Sequence, residues 1–148
     1  MIFFSSKEKT EDLIHQAMSF MEKRRPKDAI SLFKKILKND PKNILALYNL
    51  GLALNQLKKY QDAITCFEKI TIIDPKHIAA INNRGIALAE LGNTDDALKY
   101  YKKAIEIDPK YAAAHYNKGV LHDKLLQHEE SIQSLDMALK CDSGNVNT

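Results

Sequence analysis

Residues 47–75 read LYNLGLALNQLKKYQDAITCFEKITIIDP. Leu47, Leu50, Leu54 and Leu57 follow helical spacing, and a second helical series runs through Ala63, Ile64, Phe67, Ile70 and Thr71. The stretch is a helical hairpin closed by Asp74-Pro75. Proline lacks the amide hydrogen needed to continue the helix before it, and the aspartate beside it is suited to cap the helix that follows. Gly51 falls inside the first helix, where glycine costs up to about 1 kcal/mol against alanine. A close helix crossing explains it: without a side chain at 51, the partner helix can approach near Ala63.

Outward from this stretch the same marks recur. Asp40-Pro41, Asp74-Pro75 and Asp108-Pro109 stand 34 residues apart, as do Gly51, Gly85 and Gly119, then Asn49, Asn83 and Asn117, then Ala29, Ala63 and Ala97. Four residue types sharing one period mark an internal repeat. The Asp-Pro pairs set its register: units at 10–43, 44–77, 78–111 and 112–145, with an N-terminal extension at 1–9 and a tail at 146–148. A single hairpin cannot bury both of its apolar faces, so stacked units create a continuous core with a concave and a convex wall.

The second unit, Leu47-x-x-Leu50-Gly51-x-x-Leu54, Ala63-x-x-x-Phe67 and Pro75, closely resembles the tetratricopeptide repeat (TPR) pattern. The third carries Ile81, Arg84, Gly85, Leu88, Ala97, Tyr101 and Pro109 at those places, and the first Leu13, Gln16, Ala17, Phe20, Ala29, Phe33 and Pro41. The resemblance implies an all-α, right-handed superhelical solenoid of four helix-turn-helix repeats. It further implies a protein-interaction module that holds a peptide or helix of a partner protein along its concave wall.

Composition agrees with a helical array. Of 148 residues 45% are hydrophobic and 28% charged, which disfavours a disordered or fibrous chain, and five Gly with four Pro are few breaks for a chain of many short strands. Cys66 and Cys141 have no C-x-x-C spacing, so they read as reduced structural thiols. No apolar stretch approaches the roughly 20 residues of a membrane span. Met1-Ile2-Phe3-Phe4 has neither the basic start nor the long apolar core of a secretory signal, so a cytoplasmic protein is expected. The net charge of +3 is graded along the units with their flanks, from +4 through +1 and 0 to −2. Lys34, Lys35 and Lys38, with Lys23, Arg24, Arg25 and Lys27, form the one basic end, but no aromatic stacking platform accompanies them, which argues against a nucleic-acid partner.

Placed on the concave wall by the geometry that the resemblance implies, the first helices contribute Met18; Tyr48, Asn49 and Leu52; Asn82, Asn83 and Ile86; and Tyr116, Asn117 and Val120. A clamp for the carboxylate tail of chaperones is not expected. Ile14, Met18, Ala79 and Asn83 stand where relatives with that clamp carry Lys, Asn, Lys and Arg, and only Asn49 matches. Asn49, Asn83 and Asn117 resemble the asparagine ladder of the superhelix in O-linked N-acetylglucosamine transferases. An amide offers donor and acceptor together and can read a peptide backbone whatever its sequence. With helices about 8 to 10 Å apart and a ligand advancing about 3.3 Å per residue, three would span about six or seven ligand residues. The same amides can instead satisfy local backbone groups.

No catalytic constellation is present: no nucleophile stands beside a base and no glycine-rich loop cradles phosphate, so neither enzyme activity nor a cofactor is expected. His115 and His122 are seven residues apart, about 10.5 Å along a helix, whereas two ligands of one zinc ion sit only about 4 Å apart. They read as packing histidines, with no metal site. Asp95-Asp96 and Glu129-Glu130 open second helices, where acidic residues complement the helix dipole. An alternative function is self-assembly: no further polar helix follows the last hairpin, and its stripe Ile132, Leu135 and Leu139 could dock on another copy, making a homo-oligomer.

Overall fold

The computed structural model describes residues 6–144. Met1–Phe4 and the tail at 146–148 lie outside the described residues. Among those described there are only helices: α1 (Ser6–Glu22), α2 (Pro26–Asn39), α3 (Ile44–Gln56), α4 (Tyr60–Ile73), α5 (Ile78–Glu90), α6 (Thr94–Ile107), α7 (Ala112–Lys124) and α8 (His128–Asp142). They pair in order as hairpins. Two compact units divide the chain, Met1–Pro75 with α1 to α4 and Lys76–Thr148 with α5 to α8. Helix α1 starts at Ser6, inside the segment expected to precede the repeats.

The turn within each hairpin repeats the same backbone device. Arg24, Lys58, Gly92 and Leu126 all adopt positive φ, at 54, 58, 82 and 60°. The next residue's amide then reaches back to the helix: Arg25 N–H to Phe20 O (2.8 Å), and Lys59 to Leu54, Asn93 to Leu88 and Gln127 to His122 (2.9 Å each). This left-handed C-terminal closure satisfies carbonyls the helix would otherwise leave open. Only Gly92 adopts it without a Cβ penalty.

Between hairpins the aspartates act differently from the sequence-based expectation. Asp40, Asp74 and Asp108 end α2, α4 and α6 through their backbone amides, which donate to Ile36, Ile70 and Ala104. The side chains then brace the turn: Asp40 Oδ1 accepts from Lys42 N–H (3.3 Å), and Asp108 Oδ1 from Lys110 N–H (2.9 Å). Capping of the following helix falls to Asn43, which accepts from Ala46 N–H at 3.0 Å, and to His77 Nδ1, which accepts from Ala80 N–H at 3.2 Å.

In the Met1–Pro75 unit the core is built on Phe33, Ile36, Leu47, Phe67 and Ile70. Fully burying each such side chain stabilises by about 1.5 to 3 kcal/mol. In the Lys76–Thr148 unit, Ile81, Ala104 and Ala114 form one cluster, with Ile78, Ile105 and Tyr111 packed round it. The mid-helix glycines admit side chains of the second helix rather than its alanine alone. A Cβ would lie 2.6 Å from Phe67 Cε1 at Gly51, 2.6 Å from Tyr101 Cε1 at Gly85, and 2.8 Å from Leu135 Cγ at Gly119.

Candidate functional site

In the Met1–Pro75 unit the expected contact residues lie on α1 and α3. Met18 and Leu52 are at least partly open to solvent, and Tyr48 is half-buried, with its ring edge-on to Phe67 at 6.1 Å. Asn49 is only 6% exposed, and its Nδ2 donates to Leu45 O at 2.9 Å, one turn back in the same helix. One turn and a half further along α3, Asn55 Oδ1 is buried with no hydrogen-bond partner among the described residues.

In the Lys76–Thr148 unit α5 and α7 lie side by side. Asn83 is half-buried and, like Asn49, donates Nδ2 to the carbonyl four residues back, Ala79 O at 2.8 Å. Asn117 makes a different bond, from Nδ2 to Asn82 Oδ1 at 3.1 Å, which ties α7 to α5 and leaves Asn82 3% exposed. Beside this clasp, Ile86, Asn117 and Val120 line a shallow cavity of about 80 Å³, bounded by Glu90 and Lys124, whose Oε1 and Nζ are 3.7 Å apart. Tyr116 is not part of it and faces a separate groove with Leu135 and Leu139.

These bonds were invisible in the sequence, and they define how the amides are held. A carboxamide carries two donor hydrogens and an acceptor oxygen. In Asn49, Asn83 and Asn117 an amide hydrogen is engaged within the protein and fixes the side chain.

Other reactive groups are quiet. Burial pushes the Cys66 thiol up to about 11 and, with Glu90 contributing, the Tyr101 phenol up to about 12, so neither supplies an anionic nucleophile near neutrality. His115 and His122 are buried, each with a ring N–H donating to a carbonyl oxygen: Nε2 to Pro109 O at 2.9 Å and Nδ1 to Gln127 Oε1 at 2.6 Å. Among the described residues no three His, Cys, Asp or Glu side chains converge as a metal site, and no helix is long and apolar enough to cross a membrane. Lys34, Lys35 and Lys38 are carried on α2, away from the amide-bearing helices in sequence.

Two family models described as tetratricopeptide repeat match residues 42–110 and 82–146, running together through the second, third and fourth hairpins. The chain belongs to the tetratricopeptide repeat family. A third model, described as anaphase-promoting complex, cyclosome, subunit 3, matches residues 2–70. No curated protein matches the sequence significantly. Among solved structures, a crystal structure of MamA is 24% identical, covering 94% of this chain and 81% of that one with a TM-score of 0.81. MamA from Desulfovibrio magneticus RS-1 is 20% identical, covering 93% and 78%, at 0.82. TTC0263, a thermophilic TPR protein of Thermus thermophilus, is 21% identical, covering 90% and 75%, at 0.81. At these identities the likeness establishes that the tetratricopeptide chain shares their fold.

Proposed function

We propose that the chain is a non-catalytic protein-interaction module that holds a peptide or helical segment of a partner against the first helices of its hairpins. In this reading Asn49, Asn83 and Asn117 hydrogen-bond the ligand backbone, while Met18, Tyr48, Leu52, Ile86 and Val120 supply apolar contact. Asn82 positions Asn117.

The observation that carries the proposal is the anchoring of the amides. Each is already fixed by a hydrogen bond, to Leu45 O, Ala79 O or Asn82 Oδ1, so little side-chain entropy is lost when a ligand engages it. Beside Asn117, the cavity formed with Ile86 and Val120 gives an apolar side chain of the ligand a place to sit.

Selection of a displayed peptide library on the chain tests this, followed by affinity measurements on the selected peptides. Each neutral hydrogen bond contributes only about 0.5 to 1.5 kcal/mol, so single Asn→Ala changes should weaken binding modestly and the triple change of Asn49, Asn83 and Asn117 by roughly tenfold or more. Circular dichroism verifies that the triple variant is folded. Unchanged affinity there, with binding abolished by Lys34→Glu, Lys35→Glu and Lys38→Glu together, would move the site to α2 and overturn the reading.

A further inference from the structure

Ala112 and Tyr116 on α7, with Leu135, Ala138, Leu139 and Asp142 on α8, line an open and mostly apolar groove of about 570 Å³. Leu139 is 68% exposed and Tyr116 56%. Each of the six stands one 34-residue period after a residue of α5, α6 or the turn that follows: Ile78, Asn82, Tyr101, Ala104, Ile105 and Asp108. There the protein supplies its own occupant, α7. Ala114 of α7 is fully buried against Ile81 and Ala104, with Ile78, Ile105 and Tyr111 packed round the contact, and Asn117 donates to Asn82.

We propose that the α7/α8 groove is a second docking site, taking an amphipathic α-helix from a protein partner seated as α7 is seated on α5 and α6. That interface specifies the occupant. A small residue must lie over Ala138, as Ala114 lies over Ala104, because a larger one would hold the helices wider than the roughly 8 to 10 Å of closely packed pairs. Three residues before it a large apolar side chain is required, as Tyr111 precedes Ala114. The helix enters with its N-terminus toward Asp142. Asp108, the counterpart of Asp142, accepts from the Lys110 amide just ahead of α7, and a carboxylate there also favours the positive end of the helix dipole.

Two other occupants fit less well. The turn that leads into α3 and into α7 begins with Asp-Pro, but here α8 runs through Asp142 and is followed by Ser143 and by Gly144 at φ 69°. The Asp-Pro turn that precedes α7 is therefore not repeated after α8. A second copy offering α1 would present Lys9, Asp12 and His15 at the places of Tyr111, Ala114 and Asn117. Asp12 would then be pressed onto Ala138, and burying an unpaired carboxylate is costly.

A peptide of residues 109–124 serves as the probe, held helical by a staple between positions 116 and 123, which are exposed when α7 is docked. Fluorescence anisotropy on the full chain should show saturable binding, weakened at least about tenfold by Leu139→Asp or by Tyr116→Asp in the chain. Ala114→Leu in the peptide should weaken it similarly. The pair Ile86→Glu and Val120→Glu, directed at the amide-bearing face, should leave it unchanged, which separates this site from that of the proposed function. Absence of saturable binding, or a loss caused by the Ile86/Val120 pair and not by Leu139→Asp, overturns the proposal. So does sedimentation of the chain alone as a dimer that Leu139→Asp dissociates, because the occupant would then be a second copy.

Discussion

Hairpins α3–α4 and α7–α8 share one backbone plan and differ in what fills it. Where the first places Leu47, Leu50, Leu54, Ala63 and Phe67, the second places His115, Lys118, His122, Ser131 and Leu135. Phe67 is fully buried, while Leu135 is half-buried and borders an open groove. The polar substitutions are absorbed because each histidine finds a local partner: His115 uses Pro109 O and His122 uses Gln127 Oε1. Hence the repeat keeps a glycine facing one bulky side chain and its turns, together with small or apolar residues at Ala46/Ala114, Ala53/Leu121 and Ile70/Ala138, while the other interior positions named here change chemistry. Stability is then concentrated at the Phe67 crossing and dilute in α7–α8.

The largest expected effect tests that directly. Phe67→Ala should cost about 3 to 5 kcal/mol, whereas Leu135→Ala, at a site already open on one side, should cost about 2 kcal/mol. Urea titration of both variants measures the difference, and equal losses would break the contrast between the hairpins.

Next in size are the glycines. Alanine gains about 1 kcal/mol over glycine in a helix interior. At Gly51 its methyl would meet Phe67 Cε1 and Cζ at 2.6 and 2.7 Å, atoms of a fully buried ring. Gly51→Ala should therefore destabilise by about 1 to 3 kcal/mol net. At Gly119 the obstacles are Leu135 Cγ and Cδ2, at 2.8 and 2.9 Å, and the side chain can turn into the groove. Only the backbone nitrogen of Leu135, at 3.2 Å, is fixed, so Gly119→Ala should be nearly neutral. Thermal melts of the two variants compare them, and a Gly119→Ala loss as large as that of Gly51→Ala would show that Leu135 is as rigid as Phe67.

Alkaline pH separates the two compact units by a smaller margin. Cys66, in Met1–Pro75, has its pKa raised from 9.0 to about 11 by burial, and Tyr101, in Lys76–Thr148, from 10.0 to about 12 by burial and Glu90. Both raised values mean that the folded chain keeps a proton which the unfolded chain releases, so stability falls as pH rises. The Cys66 contribution is complete below about pH 9 and lost through pH 11, and that of Tyr101 is complete below about pH 10 and lost through pH 12. Each slope is at most about 1.4 kcal/mol per pH unit. Denaturation of wild type, Cys66→Ala and Tyr101→Phe across these windows should show a shallower decline in each variant within its own window. Parallel curves would mean that neither group is as sheltered as its burial implies.

The hairpins were legible because Gly51, Gly85 and Gly119, the Asp-Pro pairs and the alanines are residue types with few alternatives at a close crossing or a helix stop. Three features were not. The positive-φ turn is announced only by Gly92, since Arg24, Lys58 and Leu126 occupy the same place without a glycine's signature. Capping of α3 passed from aspartate to Asn43 because the side chain of Asp40 is spent on the turn between helices, and at α5 it is His77 that caps. The asparagines show their period in the sequence, but whether an amide bonds its own helix, as Asn49 and Asn83 do, or a neighbouring one, as Asn117 does, depends on which side chains crowd it. Of the stripe read as Ile132, Leu135 and Leu139, the groove takes Leu135 and Leu139, together with Tyr116 from the other helix.

The smallest expected effect lies in the hairpin turns. Lys58 and Leu126 hold φ at 58 and 60°, a region that costs a residue with a Cβ about 1 to 2 kcal/mol. Leu126 is 77% exposed, so its side chain contributes little packing to offset that cost. Glycine removes the strain but adds freedom to the unfolded chain, which returns part of the gain. Leu126→Gly and Lys58→Gly should thus each stabilise by about 0.5 to 1 kcal/mol, and Gly92→Ala should destabilise by a similar amount. Because the turn hydrogen bonds, Lys59 to Leu54, Asn93 to Leu88 and Gln127 to His122, are all 2.9 Å long, the three sites are geometrically matched and the substitutions can be compared directly by urea titration. A stabilising Lys58→Gly with a neutral or destabilising Leu126→Gly would show that the exposed leucine is held by packing, and that α7–α8 is less dilute in stability than its polar interior suggests.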